Sequence, residues 1–99
     1  MKNNEKLMSY LKATCRSMQL SYEWWVNEYK TGEGATYSAA SSCIDSYLDD
    51  MHGAIGFAYF ADMISEEQFD DMWKLSNKWA SIYSDKISEL FLSGRKEGE

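Results

Sequence analysis

The sequence predicts an all-α fold, an elongated antiparallel three-helix bundle running up-down-up, and three observations carry that prediction. Apolar residues recur at alternating three- and four-residue spacings along three long stretches, the pattern of one buried helix face. Proline is absent, so nothing of that type breaks a helix. The stretch 31–36, with Gly32 and Gly34, is the one convincing flexible loop. The expected helices span 4–30, 37–63 and 66–93 of a single domain, 1–99, and no strand alternation or internal repeat competes with them.

In the first stretch Met8, Leu11, Cys15, Met18, Tyr22, Trp25 and Tyr29 step three-four-three onto one face. Asn3 or Asn4 is the expected cap, and Thr31-Gly32 ends the run. The middle helix carries Ile44, Leu48, Met51, Ile55 and Ala58 as its main stripe. Its second half, 53–61, is apolar almost all round, so it is expected to be covered on more than one side, with Gly53, Gly56, Ala58 and Ala61 admitting close backbone approach. The third helix has the clearest start. Ser65 is placed to cap, Gln68 to complete a capping box, and Ile64 and Phe69 to form a hydrophobic staple. From there Phe69, Trp73, Ser76, Ala80, Tyr83, Ile87 and Leu90 repeat helically, Met72, Leu75, Trp79 and Ile82 widen the stripe, and Gly94 is the expected stop. Helices of this length predict a rod about 40 Å long at 1.5 Å per residue.

Charge is distributed unevenly along the chain. Residues 31–73 hold nine acids (Glu33, Asp45, Asp49, Asp50, Asp62, Glu66, Glu67, Asp70 and Asp71) and no Lys or Arg. The segments before and after are nearly balanced, at +2 and +1, so the middle accounts for the net charge of −6. Helix capping explains Glu66 and Glu67, and a solvated acidic face explains any single one of the others. Three details resist that reading: Asp62 is expected in a last helical turn, where the dipole disfavours an anion; Asp45 and Asp49 form a like-charge i,i+4 pair; and Asp50 adds a third charge beside them. A turn at Ile64-Ser65 would bring Asp62, Glu66, Glu67, Asp70 and Asp71 to one tip, with Lys2 and Lys6 nearby to neutralise part of it.

Motifs for chemistry are missing. His52 is the only histidine; Asp49 three residues before it echoes half of a di-iron helix motif, but no second copy exists, and a lone surface imidazole is expected. There is no nucleophile elbow, phosphate loop or calcium loop, so no catalytic residue, metal ligand or cofactor is assigned. Scattered Lys and Arg in a net acidic chain argue against direct nucleic-acid binding. Cys15 and Cys43 have no metal-type spacing and are read as reduced core thiols. The polar start of the chain and the short apolar run 53–61 predict neither a leader nor a membrane span, hence a cytoplasmic protein.

The apolar excess points outward. Leu20 and Trp24 are an i,i+4 pair opposite the main stripe of their helix, expected to meet a partner or a second copy. Phe57 and Phe60 lie across the middle helix from Ile44, Leu48 and Ile55; they are expected first as a second internal interface and otherwise as partner surface. The resulting expectation is a non-enzymatic module that binds a basic protein through Asp45, Asp49, Asp50, Asp62, Glu66, Glu67, Asp70 and Asp71, with Leu20, Trp24, Phe57 and Phe60 as apolar anchors. Its sharpest form is an inhibitor that mimics nucleic acid and blocks the binding groove of a larger enzyme. Phage or mobile-element antagonists of restriction or CRISPR enzymes share that short, acidic, non-catalytic character. The alternative is a self-associating helical scaffold, a homodimer in which the acids only aid solubility.

Overall fold

In the computed structural model, the described residues form three helices and no strand: α1 (Lys2–Thr31), α2 (Tyr37–Phe60) and α3 (Glu66–Gly98). The backbone is described for 2–32 and 34–98, and side chains for 5–32 and 34–92. Each helix packs on both others in an up-down-up bundle measuring 53 × 17 × 15 Å. The rod exceeds the expected 40 Å because α3 runs for 33 residues, about 50 Å of helix.

The predicted stripes make the core. Leu11 and Met18 of α1, Ile44, Met51 and Ile55 of α2, and Ile87 of α3 are all completely or almost completely buried. The aromatic members, Tyr22, Trp25, Phe69, Trp73, Trp79 and Tyr83, are half-buried and close the edges of this narrow core. Thr14 and Ser76 are buried polar residues, and their hydroxyls donate to the Tyr10 carbonyl at 2.9 Å and the Trp73 carbonyl at 2.8 Å, so their burial leaves neither donor unpaired. Helix α2 holds the bundle together because its stripe faces both neighbours.

Local signals set most of the ends. Gly32, at φ 92°, closes α1 by donating its amide to the Glu28 carbonyl at 3.1 Å, in a conformation that glycine adopts without steric cost. Thr36 caps α2 through its hydroxyl, which accepts from the Ala39 amide at 3.1 Å. At α3 the capping box is complete: the Gln68 amide donates to Ser65 Oγ at 3.1 Å, and the Ser65 amide donates to Gln68 Oε1 at 2.9 Å. Ile64 is buried beside it.

Three boundaries differ from expectation. Helical backbone starts at Lys2, upstream of the expected Asn3 or Asn4 cap; those side chains, like that of Lys2, lie outside the described residues. Helix α2 stops at Phe60 rather than at 63. Helix α3 passes through Gly94 to Gly98, since a glycine inside a helix costs about 1 kcal/mol but stops it only by turning left-handed.

Candidate protein-binding surface

The early end of α2 creates the most distinctive part of the surface. Ala61 caps the helix and donates to the Phe57 carbonyl at 2.9 Å. Asp62 then turns left-handed, at φ 60°, with its amide donating to the Tyr59 carbonyl at 3.1 Å; the Met63 amide donates to Ala58 at 2.8 Å. These two bonds are the Schellman pair that ties off the last carbonyls of a helix, with aspartate where glycine is usual. Asp62 therefore lies beyond the helix, off its apolar stripe, and not in its last turn as the sequence suggests. It still faces the negative end of the helix dipole.

This turn presents Phe60, 87 % exposed, at the end of the rod. Asp62 lies two residues on, and Glu66, Glu67 and Asp70 follow in the first turns of α3, all exposed. Asp71 is exposed too, on the side where a groove runs to Met8 of α1. The five acids expected at this tip are thus all exposed within 62–71, next to exposed Phe60 and half-exposed Met63.

The second half of α2 is not covered as its composition suggests. Phe57 is 67 % exposed, so neither it nor Phe60 forms a second internal interface. Nor do Gly53 and Gly56 admit a neighbouring backbone: a methyl group at either would meet open space. A bundle of three helices offers α2 two neighbours, and both lie on the side of Ile44, Met51 and Ile55, which leaves the opposite surface bare.

Leu20 and Trp24 are half-exposed, as expected. They border a shallow groove of about 480 Å³ between α1 and α2, together with Ser17, Ser21, Trp25, Cys43 and Tyr47. Trp24 packs edge-on against Trp25, with centroids 4.8 Å apart, and Ser21 Oγ lies 3.1 Å from Cys43 Sγ. Both cysteines are free thiols.

Asp45, Asp49 and Asp50 are all exposed, but they do not act as one group. At 100° per residue Asp45 and Asp49 share an outward strip, whereas Asp50 points about 100° away, toward α1. They stand about three to five turns before the tip. The acidic segment is thus two separate surfaces, and Glu33, its ninth member, lies outside the described residues. Among the described residues, the carboxylate that accepts a side-chain hydrogen bond is that of Glu23, from Gln19 at 3.2 Å; the middle acids have no such partner.

His52 is not the lone surface imidazole expected. It is half-buried, stacked on Trp73 with centroids 3.7 Å apart and planes 6° from parallel, and its Nε2 lies 2.8 Å from Asn77 Oδ1. Trp73 in turn stacks on Phe69 at 5.3 Å, and Phe69 meets Tyr59 at 4.8 Å. This ladder seals the α2–α3 seam. The spacing of Phe69, Trp73 and Asn77 at i, i+4, i+8 was its sequence signal, but their partner on α2 was not legible. On the α1–α3 seam Lys86 Nζ lies 5.4 and 5.6 Å from the rings of Tyr22 and Tyr83. Burial pushes the Cys15 thiol above its ordinary range. Burial does the same to Tyr83, aided by Cys15 and Glu23 and opposed by Arg16.

Among the described residues no three His, Cys, Asp or Glu side chains are grouped to hold a metal ion, and no helix is long and apolar enough to cross a membrane. No family model, curated protein or solved structure matches the chain.

Proposed function

We propose that this protein is a non-enzymatic binding module whose α2–α3 tip docks into a basic groove of a larger protein, most sharply the nucleic-acid-binding surface of an enzyme that it thereby inhibits. The observation that carries the proposal is Phe60, a large apolar side chain 87 % exposed on a tightly bonded turn and flanked by exposed carboxylates. Its exposure contributes nothing to the fold, whereas burying a phenylalanine against a partner is worth about 1.5–3 kcal/mol. The carboxylates of Asp62, Glu66, Glu67 and Asp70 would meet groove lysines and arginines, speed encounter and impose register. Asp45 and Asp49 extend the negative field along the rod. An inhibitor of the kind carried by phage or mobile elements against restriction or CRISPR enzymes fits that mode of binding.

Capture from lysate at low and high salt tests the proposal, with the protein and its Phe60→Ser variant as baits. A nucleic-acid-processing enzyme retained at low salt, released at high salt and about tenfold or more weaker toward Phe60→Ser is the expected result. Equal retention by a variant carrying Phe60→Ser, Asp62→Asn, Glu66→Gln and Glu67→Gln would refute it. The exposure of Leu20, Trp24, Phe57 and Phe60 also favours a second reading, a homodimer buried through those side chains. Light scattering separates the two, since a monomer at micromolar concentration rules out the dimer.

A further inference from the structure

Between Ile55 and Ile64, both buried, the chain has little hold on the rest of the bundle. Ala58 is the one buried side chain of that interval, and 57 and 59–63 are all exposed. Tyr59 adds one ring contact, to Phe69 at 4.8 Å. The backbone bonds of the turn run from the Ala61, Asp62 and Met63 amides to the Phe57, Tyr59 and Ala58 carbonyls. They therefore join 57–63 to itself and reach neither α1 nor α3.

Local preferences oppose the last turn of α2 as well. Gly56 sits inside the helix, where glycine disfavours helical backbone, and a methyl group there would meet open space, so packing does not require it. Phe57, Tyr59 and Phe60 lose rotamer freedom in a helix. No basic residue occupies that last turn to offset its dipole, and Asp62 sets an anion beside it at φ 60°. Gly53 is open in the same way, but it lies before Ile55, whose complete burial fixes that part of α2.

We propose that residues 57–63 are a hinged arm that swings about Gly56 while the rest of the bundle stays folded. Few buried contacts, solvent-exposed backbone bonds and adverse local preferences are the marks of a segment that opens by itself. The motion changes which side chains the end of the rod can offer together. In the closed helix Phe57 and Phe60 point about 60° apart, so one flat surface meets one ring squarely and the other obliquely. With the arm open, both rings can turn to the same side, a minor state that a partner would select. The arm would let the docking end adjust to its groove, yet its opening needs no partner and goes beyond the binding reading.

Amide hydrogen exchange of the full chain, labelled with ¹⁵N, tests this. The amides of 57–60 donate across the hinge to the carbonyls four residues back, so swinging the arm frees them together. Corrected for intrinsic rates, they are expected to exchange about tenfold or more faster than the amides of 48–52. They should share one protection and depend little on dilute urea, since the opening exposes little surface. Gly56→Ala should slow all four about fivefold, the helix preference of alanine over glycine, whereas Gly53→Ala, outside the arm, should leave them unchanged. Both substitutions fill open space, so the variants are expected to fold, which circular dichroism checks. Protection equal to that of 48–52, protection fading residue by residue toward 60 as in a fraying helix end, or equal slowing by the two variants would each overturn the inference. None of these results touches the Phe60 capture experiment, which tests the binding reading separately.

Discussion

Asp62 sits in a left-handed conformation that L-residues pay to adopt, so Asp62→Gly is expected to stabilise the protein. The left-handed region costs an ordinary residue about 1–2 kcal/mol, and aspartate, whose short polar side chain tolerates it, pays the lower end. Its carboxylate also faces the negative end of the α2 dipole, an exposed interaction worth about 0.3–1 kcal/mol. Against these gains stands the greater freedom of glycine in the unfolded chain, about 0.5–1 kcal/mol. The net stabilisation is about 0.5–1 kcal/mol, which in a chain of 99 residues raises Tm by roughly 3–6 °C. Two companions separate the contributions. Asp62→Asn keeps the backbone preference and removes the charge, so its gain should fade at high salt. Asp62→Ala also removes the charge but keeps a Cβ at φ 60° without the compensating polar group, so it should fall about 1 kcal/mol below Asp62→Gly. Thermal unfolding followed by circular dichroism at low and high salt reads all three. If Asp62→Ala equals Asp62→Gly, the turn is not left-handed and the account of how Phe60 is presented falls with it.

Gly53→Ala and Gly56→Ala should each stabilise the protein by about 1 kcal/mol, because both lie inside α2 with open space around them; chemical denaturation measures this, and a loss would mean that some backbone does approach there. Burial raises the Cys15 pKa in the folded state, so the neutral thiol is favoured by folding. Stability from that source is complete below about pH 8.5, the unfolded value, and is lost as pH rises through the folded one. Tyr83, also raised, adds to the loss above about pH 10. The urea midpoint is therefore expected to drop between pH 7 and pH 10, and Cys15→Ala to lessen that drop; an unchanged profile would count against it.

The ladder at the α2–α3 seam shows where sequence reading stops. Phe69, Trp73 and Asn77 announce one edge of α3, yet only packing brings His52 of α2 onto Trp73. The same limit misjudged Phe57 and Phe60. Composition measures how apolar a segment is, but not whether a neighbouring helix is available to cover it. With two neighbours on one side, half of that apolar segment was left in solvent.

What the sequence alone determined is encoded within one or two turns. The Ser65–Gln68 capping box, the glycine at 32 and the three stripes that bury Leu11, Ile55 and Ile87 are local, so periodicity and cap chemistry suffice to predict three helices and their common core. What only the tertiary structure decided is the surface. The end of α2 at Phe60, the left-handed Asp62 and the separation of Asp50 from Asp45 and Asp49 depend on where the chain must reverse and which way each helix is rotated. Those are set by contacts between residues far apart in the chain, which no local pattern records.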